Sequence, residues 1–247
     1  MLKLDLKKLV TNRLVLPSII VVIVIWVFTI FHKHQSGSQK ILENTLSFWN
    51  VLGSLTVGFL ILFVTTRLFA MDREEQVEEV IHTTKLGRRT LFLMRIKTAT
   101  IFMLVIILLF TCIQLVISVR IFNTGQRLTL LTELSLWQQT ITVLIGTLLF
   151  TIFTALICDS FKSHPITLII CGLFFGLSYL IRGSMIHKYS LEWILEKGFF
   201  SFLIKGELFR ATSIDVLEIG ILALWYSILI IGMYCLNKHL RARRKEI

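Results

Sequence analysis

Apolar and polar positions along this chain fall into blocks rather than alternating. Apolar runs occupy 14–31, 46–69, 98–119, 137–158, 165–181 and 217–236. Most are close to the roughly 20 residues with which an α-helix crosses the hydrocarbon of a bilayer. Backbone amides in hydrocarbon must pair within their own segment, so such runs read as helices. The pattern predicts an all-α, polytopic membrane protein with six transmembrane helices in one transmembrane domain over 1–247. Spans one and two lie in 14–69, a charged loop in 70–97, spans three to five in 98–181 and an external segment in 182–216. Span six at 217–236 and a basic tail at 237–247 complete the expected order. An even number of spans places both termini on one side.

Two segments depart from the block pattern. Before the first run, Leu2, Leu6, Leu9 and Val10 share a helical face, with Lys3, Lys7 and Lys8 off it. This predicts an N-terminal amphipathic helix over 1–13, lying on the membrane surface; the alternative is a frayed basic flank. The second segment is "YSLEWILEKGFFSFLIKGELFRAT", Tyr189 to Thr212. Glu192, Glu196, Lys197, Lys205 and Glu207 make it too charged to span. Its apolar surface is too large to stand free in water. An outer re-entrant or amphipathic segment is expected, with helical pieces dipping into the outer leaflet or capping the spans.

Composition changes the picture by exclusion. The chain is 55% hydrophobic and 17% charged, with a mean hydropathy of +0.79, whereas soluble domains carry about a quarter charged residues. The net charge of +11 does not point to nucleic acid. The basic residues sit mainly at the ends of apolar runs, where they meet lipid headgroups. Of the 26 Lys and Arg, 17 fall in the N-terminus, 67–97, 159–164 and the C-terminus. That bias predicts cytoplasmic termini in a bacterial plasma membrane, with Trp49 and Trp137 at the outer interface. The first apolar run follows a basic flank and precedes no small-x-small cleavage site, so it is expected to remain as an anchor. Cys112, Cys158, Cys171 and Cys235 lie in or beside apolar runs, which fits packing residues better than a disulfide framework or a zinc site.

Catalytic patterns are missing from the sequence. There is no Gly-Lys dipeptide, hence no phosphate-binding P-loop, and no HExxH. The pairs Glu74–Glu75 and Glu78–Glu79 lack the arginine that follows such a pair in intramembrane CAAX-type proteases; the positions hold Glu79 and Thr83. His32 and His34 on one loop make a poor metal site. Ionisable residues are scarce within the runs. Glu218 is expected near the outer face and Asp159 at the inner end, each within reach of headgroups or water, and Gln114 is the most deeply placed strongly polar side chain of span three. This argues against an ion-driven carrier with a buried carboxylate relay. Gly172 and Gly176 form a GxxxG pair, a spacing that lets two helices approach closely. Pro165 suits the first turn of a helix.

The stretch "MDREEQVEEVIHTTKLGRR", Met71 to Arg89, interrupts the apolar pattern most sharply. Its acids, Asp72, Glu74, Glu75, Glu78 and Glu79, lead, and Lys85, Arg88 and Arg89 follow, an order that complements a helix dipole. Val77, Val80, Ile81 and Thr84 share one helical face. A solvated connector would satisfy the chain geometry, but the pattern favours a helix that docks on a partner.

In this order of elements, and in Glu78 or Glu79, Val80-Ile81, Thr83-Thr84, Gly87-Arg88 and Lys97, the chain resembles type-2 ABC exporter permeases of the six-helix bacterial form. The resemblance implies that the charged stretch is a cytoplasmic coupling helix seated in a cleft of a separate ABC ATPase subunit. Glu78, Glu79, Val80, Ile81, Thr84, Lys85 and Arg88 would then contact that partner. It implies no cofactor in this chain, with ATP and Mg on the ATPase, and a second permease as homodimer mate or related subunit. The cargo would be a hydrophobic or amphipathic peptide, antimicrobial or lipid. The competing class is an ATPase-independent membrane protein, such as a bacteriocin-immunity or lipid-binding scaffold.

Overall fold

A computed structural model describes residues 9, 11, 15–35, 53–74, 87–121, 134–161, 163–180, 191–206 and 216–243. Every regular element among them is helical: α1 (Val15–Gln35), α2 (Ser54–Glu74), α3 (Gly87–Ile121), α4 (Leu134–Phe161), α5 (His164–Leu180), α6 (Leu191–Lys197), α7 (Phe200–Ile204) and α8 (Val216–Arg243). The all-α expectation holds at this level.

The six-span topology does not. Among the described residues three helices are long and apolar enough to cross a membrane, over Thr90–Val116, Trp137–Phe161 and Val216–Leu240. The apolar stretches Val15–Ile25, Ser54–Phe69 and His164–Leu177 are shorter, at 10–17 residues. An apolar run can serve as a packed helix without crossing, so a count of runs does not by itself give a count of spans. The even span number falls with the six-span topology, and the expectation that both termini share a side then rests on the bias of basic residues alone. What stands is an all-α protein with several long apolar helices, consistent with a multi-pass membrane protein.

The bundle is organised around α4, which packs against α2, α3, α7 and α8, while α5 lies on α2 and α4. Buried threonines let neighbours approach α4 closely. Thr142, Thr147, Thr151 and Thr154 are fully buried, and their hydroxyls donate to the carbonyls of Gln138, Val143, Thr147 and Phe150 at 2.7–2.8 Å. Each threonine thus satisfies its own polar atom on the preceding turn and offers a short, apolar remainder to its neighbours. Phe150, Phe153 and Ile157 share the core with Ile61 and Val64 of α2 and with Met103, Ile107 and Phe110 of α3. A smaller cluster joins Phe69, Phe92, Ala155, Leu156 and Cys158, where the Arg95 guanidinium lies 5.8 Å over the Phe69 ring. All four cysteines are free thiols. Of the residues predicted for the N-terminal surface helix, Leu9 is described, and it is buried in the main core; Leu2, Leu6 and Val10 lie outside the described residues.

Candidate functional site

The segment between α5 and α8 does not cap the bundle; it enters it. In "LEWILEKGFFSFLIKG", α6 closes with the Gly198 amide donating to the Ile194 carbonyl at 2.7 Å. Phe199 is extended (φ −96°, ψ 150°) with no side-chain cap, and the chain resumes as the short helix α7. The Lys205 amide donates to Ser201 O at 2.8 Å and the Gly206 amide to Leu203 O at 2.9 Å. Gly206 has φ +73°, a left-handed turn that favours glycine. The two helices and the break between them form a broken helix, and every residue from Gly198 to Gly206 is buried.

How deep it reaches follows from its neighbours. Phe200 is fully buried, with ring centroids 5.4 Å from Phe150, 4.9 Å from Phe153 and 5.4 Å from Tyr226. Phe150 lies about 20 Å along α4 from Trp137, and Tyr226 about 15 Å along α8 from Val216, at 1.5 Å per residue. The tip of the broken helix therefore sits near mid-depth of both membrane-length helices. Gly146 makes room for it: a Cβ there would fall 2.6 Å from Leu203 Cβ and 3.0 Å from the Ile204 amide nitrogen.

A helix broken in an apolar interior exposes carbonyls that must find donors. Two adjacent aromatic residues of α8 supply them. Trp225 Nε1 donates to Gly198 O at 3.0 Å. The Tyr226 hydroxyl reaches both Lys197 O at 2.7 Å and Phe199 O at 3.0 Å, so one proton serves two acceptors. Side-chain charge adds a further tie: Lys197 Nζ lies 3.6 Å from Glu218 Oε2 and 5.3 Å over the Trp193 ring. At the far arm, Gln139 Nε2 donates to Lys205 O at 3.3 Å. Lys205 Nζ sits 4.1 Å over the Tyr179 ring, and the Tyr179 hydroxyl pairs with Ser54 Oγ.

Glu218 corrects a sequence expectation. The apolar pattern puts it within reach of headgroups or water, yet it is 2% exposed and faces Lys197. The partner comes from a segment that the same pattern assigns to the outside, so the pair is invisible in the sequence. Tyr226 does carry a signal. Tyr and Trp favour the membrane interface, and an adjacent Trp-Tyr near the middle of a long apolar helix is out of place unless its polar atoms have buried work.

The other predicted residues fare differently. Glu78, Glu79, Val80, Ile81, Thr84 and Lys85 lie outside the described residues, and Arg88 falls in the first turn of α3. The Gly172–Gly176 pair is on α5, but a Cβ at either position would meet nothing within 4 Å. It closes no helix contact among the described residues; close approaches are made instead by Gly146, against the broken helix, and by Gly58 of α2, against the Phe175 ring of α5. Among the described residues no group of three or more His, Cys, Asp or Glu is placed to hold a metal ion. No protein family, curated protein or solved structure matches the chain.

Proposed function

We propose that this chain is the membrane-embedded subunit of an exporter in the plasma membrane, driven by a separate ABC ATPase and moving a hydrophobic or amphipathic cargo. The observation that carries the reading is the broken helix held at mid-depth by α8. Membrane proteins tolerate irregular backbone at that depth where it is enclosed by protein or lines a path, and transporters use it at their working sites. The polar ties of Lys197, Glu218 and Tyr226 can be made and remade without any bond chemistry, which suits a moving part better than a catalyst. The ATPase enters from the Met71–Arg89 sequence, whose ordered charges and apolar face suit a docking helix on the cytoplasmic side.

The test is recovery of an ATPase subunit with the tagged chain from its native host. Ile81→Asp should abolish recovery while chain abundance in the membrane stays constant, because a carboxylate forced into an apolar contact loses its hydration without a partner. Undiminished recovery and ATP hydrolysis in that variant would reduce the stretch to a connector. Absence of any ATPase with the unaltered chain would favour the ATPase-independent scaffold.

A further inference from the structure

Between α6 and α8 the structure leaves a gap. Trp193, Ile194 and Gly198 form one wall, and Ile221, Leu222 and Trp225 the other, around a cavity of about 180 Å³. Among the described residues no charged side chain lines it. It opens past Leu224 and Ile228, which are 66% and 61% exposed. These two continue the bare apolar face of α8 that includes Leu217 and Ile231. In a membrane that face is covered by hydrocarbon, so the groove is continuous with the lipid boundary and not with water. Trp225 lies about 14 Å along α8 from Val216, close to half of the ~30 Å hydrocarbon core. An apolar cavity left unfilled costs stability in proportion to its volume.

We infer that this groove is a binding slot for one acyl chain of a membrane phospholipid, wedged between the broken helix and α8. The inference rests on the membrane-embedded reading and deepens it. The chain in the slot would lie against the same Trp225 that donates to Gly198 O. Lipid occupancy and the seating of the broken helix are therefore linked through one side chain. A polar ligand is disfavoured by the lining. A second copy of the protein would need to insert a side chain from within the membrane, and nothing in the charge pattern of α8 prepares such a contact.

The experiment uses the full chain in detergent with Trp225 as the sole tryptophan, the other four replaced by Phe. Titration with a phosphatidylcholine brominated at mid-chain should quench Trp225 saturably, with unbrominated lipid competing. Ile221→Phe, which fills the groove, should abolish the saturable part. Val216→Phe, on an exposed position outside the lining, should leave it intact. Quenching that rises without a plateau, or survives Ile221→Phe, overturns the slot. Shielding of Trp225 that grows with protein concentration instead would assign the groove to a second copy and also overturn it. Should the tryptophan replacements prevent folding, native mass spectrometry of the otherwise unsubstituted chain decides the same question. One phospholipid retained, and lost in Ile221→Phe, supports the slot; none retained overturns it. Extraction of the chain from membranes by alkaline wash would sink the membrane reading itself, whereas membrane retention with unsaturable quenching sinks the slot alone.

Discussion

Helices α4 and α8 are the same length, 28 residues each, and similarly apolar, yet the fold uses them in opposite ways. In its most apolar stretch α4 is 67% buried inside the protein, against 11% for α8. The core is assembled on α4, whereas α8 stands at the edge and touches the interior through a few chosen side chains. Hydropathy cannot tell them apart, because lipid and protein interior are equally apolar partners for Leu and Ile. The difference is written in the small and polar residues. Buried threonines and Gly146 recur along α4, while a methyl group added to either glycine of α8, Gly220 or Gly232, would meet nothing within 4 Å.

The sharpest way to break the comparison is a bulky residue on each helix. Gly146→Leu should eliminate folded, monodisperse protein in size-exclusion chromatography. Its first side-chain carbon already collides with Leu203 and the Ile204 backbone, beyond the about 1–3 kcal/mol of ordinary overpacking. Gly232→Leu on α8 should elute as the unaltered chain does. Next in size is the aromatic tip. Phe200→Ala should lower stability by about 3–5 kcal/mol, the usual range for truncating a buried Phe, seen as a lower thermal midpoint in detergent, while Ile228→Ala on the lipid face should leave the midpoint in place. Tyr226→Phe keeps the packing and removes the shared donor. A loss of about 1–2 kcal/mol is expected, since Lys197 O loses its hydroxyl partner while Phe199 O keeps the Phe202 amide; no loss would mean that the broken helix does not depend on Tyr226 for its hydrogen bonds. The smallest effect is expected for Gly172→Leu with Gly176→Leu, within about 0.5 kcal/mol as for surface changes. A drop in assembly size in that variant would reveal a contact with another chain on α5.

The apolar blocks of the sequence located α3, α4 and α8 and the helical pieces of the 182–216 segment, because length and hydropathy control those features directly. They did not separate crossing helices from merely packed ones, since burial in protein and burial in lipid select the same residues. The candidate site was legible in fragments. The charges in "LEWILEKGFFSFLIKG" ruled out a plain span, but its descent to the level of Phe150 depends on Gly146, Trp225 and Tyr226, which lie far away along the chain. Lys197 and Glu218 are separated by a segment with no periodicity to relate them. Their pairing at 3.6 Å is a product of tertiary structure alone. The GxxxG spacing shows the reverse failure: a motif defined by sequence distance has no contact among the described residues to serve.

The sharing of the Tyr226 hydroxyl between Lys197 O and Phe199 O also sets an order of manufacture. Synthesis runs from the N-terminus, so α2, α4 and α5 emerge before the broken helix and can form three sides of its berth. The donors for Gly198 O and Lys197 O, and the carboxylate for Lys197, arrive only with α8. Until then the segment carries a cation and open acceptors that hydrocarbon would reject, and it must wait at the membrane surface. Helix α8, which leaves the ribosome after the broken helix, is thus the one that draws it inward, so these two elements settle in a concerted step instead of one by one.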